Sequence, residues 1–112
     1  MKINKELLKG STELIVLGVL ENENMYGYQM IKELKEKSEN VFEFQEGTLY
    51  PILHKLEEKG WILSYWDVIG GKKRKYYSIT KDGKKQLKSK KEEWQIFSTS
   101  MNQIIGGALF EY

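Results

Sequence analysis

The chain has 112 residues, 40% hydrophobic and 30% charged, which suits one globular domain and is too short for two. With no cysteine and one histidine, His54, it excludes disulfides, thiolate zinc sites and a histidine-rich metal cluster, and no cofactor is expected. The net charge is only +2, yet residues 72–91 hold ten Lys or Arg and one Asp, while residues 1–71 sum to −4 and residues 92–112 to −3.

A basic block inside a mildly acidic chain fits a polyanionic partner, or a solvated lysine-rich helix face. No apolar run reaches the length of a membrane span. The N-terminal apolar stretch is interrupted by Lys5, Glu6, Lys9 and Glu13, which argues against a signal peptide. A cytoplasmic protein with no membrane partner is the expectation.

Residues 5–21 read as one helix whose segment 14–20 is apolar nearly all round, so it needs cover from more than one side. In so short a chain that hints at a partner subunit. Residues 26–38 form a second helix, with Met30, Ile31 and Leu34 at helical spacing. Val41 to Phe44 suggest a stub of strand. Residues 46–59 form a third helix, with Pro51 in or near its first turn and Gly60 placed to stop it. Residues 61–69 are aromatic and β-branched, hence a strand, and residues 75–79 return after Gly70-Gly71 and Lys72-Lys73-Arg74. Thr80 caps a last helix from 81 to about 105, ended by Gly106-Gly107.

The order predicts a mainly α fold with a small β-hairpin (α+β), a winged helix-turn-helix over 1–80 followed by a C-terminal dimerisation helix and short tail over 81–112. Such a fold places its third helix in the major groove of double-stranded DNA and its wing on the backbone or in the minor groove. The wing cations Lys72, Lys73, Arg74 and Lys75 suit phosphates. On the third helix, Thr48, Tyr50, His54 and Lys55 are the outward polar candidates, while Glu46, Glu57 and Glu58 leave the attraction to the wing. Tyr50 also reads as a packing residue and His54 as a plain surface residue. Tyr28, in the first turn of the second helix, can meet a phosphate at the positive helix end, or Tyr26 and Gly27 serve only to pack there. With no paired carboxylates to place in a pocket, no cysteine, no phosphate loop and one histidine without an orienting partner, an enzyme is not the expectation.

The last helix spans roughly 37 Å, far more than so small a core needs. Leu87, Trp94, Phe97, Met101 and Ile104 follow a heptad-like seam interrupted by Lys90, so the second half is expected at a homodimer interface with Leu7, Leu14 and Leu17. The lysines of the first half, Lys84, Lys85, Lys88, Lys90 and Lys91, are expected to face solvent or DNA. Two-fold symmetry predicts a pseudo-palindromic operator with half-sites about 34 Å apart. Trp94 reads either as a space-filling anchor of the seam or as one wall of a gap between paired rings.

Tyr26-Gly27-Tyr28, Glu46-Gly47-Thr48-Leu49-Tyr50-Pro51, Leu56-Glu57-x-x-Gly60 and Gly70-Gly71-x-x-Arg74-Lys75-Tyr76-Tyr77-x-Ile79-Thr80-x-x-Gly83 resemble the PadR family of bacterial transcriptional regulators. The resemblance covers about residues 5–105 and is closest to the short subfamily with a single C-terminal dimerisation helix. It implies a dimeric repressor, with DNA contacts at Thr48, Tyr50 and Lys72 to Arg74. In a multidrug-binding regulator of this subfamily, a tryptophan matching Trp94 stacks on planar aromatic ligands at the dimer centre. By that likeness Leu14, Leu17, Trp94, Phe97 and Ser98 would line an effector site. Phe97 and Ser98 depart from that regulator, where a smaller apolar and an acidic residue follow; the acid would favour cationic ligands. The competing function is a winged-helix module that binds protein without specific DNA binding, supported by the acids of the third helix.

Overall fold

The computed structural model describes residues 3–106. The expected first helix is two helices, α1 (Lys5–Lys9) and α2 (Thr12–Leu20). They part at Gly10-Ser11, where glycine is a poor helix former and serine competes for backbone hydrogen bonds. The Asn4 side chain accepts the Glu6 N–H at 2.8 Å to open α1. The all-round apolar character of α2 is satisfied within the protomer. Val16, Leu17, Val19 and Leu20 are buried, and α2 packs on four later elements: α3 (Gly27–Lys37), α4 (Glu46–Glu58), β3 (Lys72–Ile79) and α5 (Lys81–Ile104). Most of the cover that this helix needs therefore comes from its own chain, and Leu14 and Ile15 are its large apolar residues left half-buried.

The strand stub is not at residues 41–44, which are irregular, although Phe44 is buried. It is β1 (Met25–Tyr26), antiparallel to β3 with Met25 opposite Tyr77 and Tyr26 opposite Tyr76. The sheet order is β1-β3-β2, so β2 (Ile62–Ile69) is an edge strand. Gly70 and Gly71 turn the hairpin at φ +61° and +77°, the pair of left-handed residues that a tight two-residue hairpin turn demands. The sequence reading ended the hairpin loop at Arg74. In the structure Lys72, Lys73 and Arg74 already belong to β3, because a two-residue turn leaves them paired with Ile69, Val68 and Asp67.

Helix α4 closes as expected. Gly60 takes φ +77°, its N–H bonds the Glu57 carbonyl at 3.0 Å, and the Trp61 N–H bonds the Leu56 carbonyl at 3.1 Å. Those two bonds satisfy the last carbonyls of the helix. Pro51, however, is the sixth residue of α4, not part of its first turn. It withholds one amide from the exposed Gly47, whose carbonyl water can reach. The Thr80 hydroxyl accepts the Gly83 N–H at 3.0 Å and caps α5. Gly106 follows that helix at φ +92°; Gly107 and the rest of the expected tail lie outside the described residues.

The core gathers the inner faces of these helices: Leu17 and Leu20 of α2, Met30 of α3, Leu49, Leu53 and Leu56 of α4, with Ile62 and Leu87 sealing it from β2 and α5. At Gly83 a Cβ would run into the Trp61 carbonyl, so this glycine lets the start of α5 lie against the start of β2. The protomer is elongated, 55 × 30 × 22 Å, because the second half of α5 continues beyond this core.

Candidate nucleic-acid interface

Helix α4 buries Leu49, Leu53 and Leu56 and exposes Thr48, His54 and Lys55, with Tyr50 42% exposed. Tyr50 is held from behind. Its hydroxyl and ring edge lie against Gly27, where a Cβ would collide with them. This contact explains why a glycine in one segment accompanies a tyrosine in another: α3 must be bare where Tyr50 crosses it. The two readings of Tyr50 are thus both visible, a packed ring and a partly open edge. Tyr28, one residue beyond Gly27, is 60% exposed. His54 is exposed and its Nε2 lies 3.1 Å from Glu58, an intrahelical pair in solvent.

The four wing cations do not share one tip. Side chains of a strand alternate between faces, and residues directly opposite across an antiparallel pair share a face. Lys73 and Lys75 stand opposite Val68 and Trp66, while Lys72 and Arg74 stand opposite Ile69 and Asp67 on the other side. The first of these faces is the one toward α4. There Lys75 and Tyr77 line an open groove with Tyr50, Pro51, His54 and Glu57, and the Ser64 hydroxyl donates to the Glu57 carboxylate at 2.6 Å. Burial, with Tyr50 and Glu57 nearby, pushes the Tyr77 phenol above its usual range. It stays a neutral donor near neutral pH, beside the Lys75 ammonium. The tyrosine hydroxyls and the Lys75 ammonium are donors suited to phosphate oxygens, while the Glu57 carboxylate in the same groove accepts the Ser64 hydroxyl.

On the opposite face Arg74 is half-buried, its guanidinium 4.4 Å from the centre of the Tyr26 ring. Tyr76 sits between Tyr26 and Tyr65 with ring centroids at 5.5 and 5.9 Å. The Asn24 side-chain amide donates to the Tyr65 hydroxyl at 2.9 Å. This aromatic layer fastens the wing's base to β1. Arg74 therefore has a packing role that a reading of consecutive cations missed. Among the described residues, none of Lys72, Lys73, Arg74 and Lys75 forms an ion pair with a carboxylate.

The lysines of α5 divide differently from expectation. Lys90, half-buried, lies 3.4 Å from Glu13, and Lys91, still exposed, lies 2.9 Å from Glu21, so each has a carboxylate partner within the protomer. Lys59 joins Glu13 at 2.7 Å, and the Lys59 and Lys90 ammoniums both lie over the Trp61 ring, 4.4 and 5.5 Å from its centre. Burial by itself would raise the Glu13 carboxyl, but the two ammoniums overcome it and hold the group below its ordinary value. Lys84, Lys85 and Lys88 remain exposed. Leu87 is buried in the protomer and does not belong to a seam for a partner. Leu17, expected in both the dimer interface and the effector site, is fully buried in the monomer core, so it has no surface left for either. Leu14 is half-buried, and Leu7, Trp94, Ile96, Phe97, Met101 and Ile104 are exposed. The Trp94 and Phe97 rings stack at 5.7 Å with 29° between planes. Ser98 bonds back to the Gln95 carbonyl at 3.2 Å.

Reading from the sequence overlooked Trp66 and Val68, which share the wing's α4 face with Lys73 and Lys75. The signal was available: Gly70-Gly71 sets the turn, and a two-residue turn dictates which residues stand opposite.

Three helices, α2 to α4, the last with one open face, and a cationic hairpin define a winged-helix fold of the DNA-binding kind. The family model for the PadR-like transcriptional regulators matches residues 16–89. The chain belongs to this family. It is similar in structure to a transcriptional regulator from Clostridium thermocellum, with TM-score 0.80 and 34% identity, covering 88% of this chain and 96% of that one. A PadR family transcription regulator from hypervirulent Clostridium difficile R20291 matches with TM-score 0.78 and 35% identity, covering 86% and 99%. An uncharacterised protein of Lysinibacillus sphaericus is 36% identical over 93 residues, 82% of this chain and 85% of its relative. Membership makes the protein a DNA-binding transcriptional regulator and not an enzyme. Among the described residues no helix is long and apolar enough to cross a membrane.

Proposed function

We propose that the chain is a repressor that acts as a homodimer on a pseudo-palindromic operator. Thr48, Tyr50, His54 and Lys55 of α4 face the major groove, with Tyr28 on the flanking phosphates. Lys72, Lys73 and Lys75 of the wing supply most of the attraction, and Arg74 contributes while braced on Tyr26. The observation that carries this reading is the way the protomer's surface divides. Cations without a carboxylate partner among the described residues border the open face of α4, while the far half of α5 exposes Trp94, Phe97, Met101 and Ile104, which no other described element covers.

A second copy is the occupant proposed for that apolar half, with Leu7 and Leu14 at its margin. Large exposed apolar side chains clustered on one helix face mark an interaction surface. The functional division then falls inside α5 and not at residue 80: the turns up to Lys91 belong to the DNA-binding body and the rest to the dimer. At the dimer centre, stacked Trp94 and Phe97 with Leu14 and Ser98 offer flat apolar walls to a planar aromatic effector whose binding releases the operator.

The test is binding to the DNA upstream of the protein's own gene, read by fluorescence anisotropy across salt concentrations. Replacing Lys72, Lys73 and Lys75 with Gln should flatten the log–log salt slope by up to about 2.7, near 0.9 per lost phosphate contact. An unchanged affinity and slope would remove the wing from the interface. Absence of sequence-selective binding even at low salt, here and on duplexes selected from a randomised pool, would favour a protein-binding module. Concentration-dependent sedimentation of the wild type, shifted to monomer by Phe97→Glu, checks the dimer. Planar aromatic compounds should quench Trp94 and weaken operator binding, with Trp94→Ala as the control for Trp61 and Trp66.

A further inference from the structure

The β-hairpin carries more than charge. Trp66 and Val68 are 63 and 61% exposed as neighbours on one face of the edge strand β2, and Leu63 and Ile69, 47 and 53% exposed, lie on its other face. Single exposed apolar residues need no explanation, but a cluster marks a contact surface. Trp66 and Val68 stand on the α4 side of the sheet, directly opposite Lys75 and Lys73. The Lys73 ammonium lies 5.4 Å from the centre of the Trp66 ring. The paired positions on this face, from Ile62 and Ile79 outward to Val68 and Lys73, include no acidic residue. Asp67, the one acid of the hairpin, points to the opposite face with Arg74. The outer half of this face thus pairs an apolar edge, Trp66 and Val68 on β2, with a row of ammoniums on β3, and it runs on into the groove lined by Lys75, Tyr77, Tyr50, His54 and Glu57.

We propose that Trp66 and Val68 are specificity-determining residues: they enter the minor groove beside the α4 site and favour A·T over G·C pairs there. The inference rests on the DNA-bound arrangement proposed above. Its occupant follows from the chemistry of the strip. Ammoniums along the β3 side call for a polyanion, and the apolar ridge beside them on the edge strand calls for a recess with a low-polarity floor. The minor groove provides both: phosphates on its two rims and, at about 6 Å, a width that admits one layer of side chains. Its floor discriminates. A G·C pair presents the guanine amino group, which an apolar side chain would strip of water without replacing its hydrogen bond, whereas A·T pairs lack that donor. Narrow A·T segments also have the stronger negative potential for Lys73 and Lys75. Helix α4 then reads the major groove while the wing judges the composition of the flank.

A duplex selected by the wild-type protein from a randomised pool, and a copy with its flanking A·T pairs changed to G·C, test this by anisotropy. The wild type should prefer the A·T flank. The Trp66→Ala, Val68→Ser double variant should bind the A·T duplex about tenfold more weakly, in the range for losing a base-pair contact, and bind both duplexes alike. Its salt slope should equal that of the wild type, because no phosphate contact is lost. Trp66→Phe should retain the preference. The two side chains are exposed, so thermal melting should not move. If the double variant keeps wild-type affinity and still discriminates the flanks, the proposal is overturned. A lowered salt slope in the double variant overturns it as well, since the strip would then serve only to position lysines. Intact DNA binding with lost regulation in cells would give the face to a protein partner, again against the proposal. A flattened slope in the lysine-to-glutamine triple variant, with the double variant unaffected, would overturn this inference alone. If neither variant changes binding, the wing's place in the interface fails with it.

Discussion

Two places in this protein combine lysines with a tryptophan, and they do opposite things. Around Trp61, Lys59 and Lys90 converge on Glu13, and the cluster ties α2, the end of α4 and the middle of α5 together. Around Trp66, Lys73 and Lys75 have no carboxylate on their face of the hairpin. The residue types are the same, and the difference is one glutamate. A count of basic residues along 72–91 treats both lysine sets as alike, although Lys90 has its counter-charge inside the protomer and the wing lysines do not. Unpaired cations are the ones available to displace counterions from DNA.

The contrast can be broken at its strongest point by Gly83→Ala. A Cβ there must push against the Trp61 backbone, which cannot swing aside as a flexible side chain would. Destabilisation of about 2–3 kcal/mol is expected for such overpacking, seen as a lower denaturant midpoint with an unchanged m-value. Trp66→Ala on the exposed wing should stay within about 0.5 kcal/mol in the same assay.

A finer comparison sets Lys75→Gln against Lys90→Gln. Lys75→Gln should lower the salt slope of operator binding by about 0.9, and Lys90→Gln should leave it in place. Equal slopes for the two variants would mean that the Glu13 pairing does not withhold Lys90 from DNA.

The smallest effect concerns Glu13 itself. Its carboxyl titrates lower in the folded protein than in the unfolded chain. Such a group adds stability that is complete above its unfolded pKa and is lost as pH falls through the folded one. Glu13→Gln should therefore cost stability near neutral pH, by less than about 1 kcal/mol for a partly exposed cluster. The gap between variant and wild type should close on acidification below the usual glutamate range. A gap that is constant with pH would argue that packing, not charge, accounts for the loss.

The features legible in the sequence are those whose causes are local. Thr80 caps α5, Gly60 stops α4 and Gly70-Gly71 turns the hairpin because each acts within a few residues of itself. Burial is a different matter, since periodicity says that a face is apolar without saying what covers it. Spacing alone places Leu17 at a partner and Leu87 on one seam with Trp94, yet α2 and α5 cover each other within one chain. β1 is two residues long and exists because β3 offers it an edge, so no local pattern announces it. In the reading face, the outward residues of α4 were visible from helical spacing. The division of the wing cations between two faces needed the strand register, and the capture of Lys90 and Lys91 needed partners 77 and 70 residues earlier in the chain.

The ionic cluster at Lys90 has a mechanical consequence. It pins α5 near its midpoint, and from there the helix runs free for some 14 residues, about 20 Å. A tilt of about 10° at that pivot moves the far end by roughly 3 Å, since displacement grows with the length of the arm. Small adjustments among Glu13, Lys59 and Lys90 would thereby be magnified at Ile104, and a load on the far half of the helix would in turn bear on a fulcrum held by α2 and the end of α4.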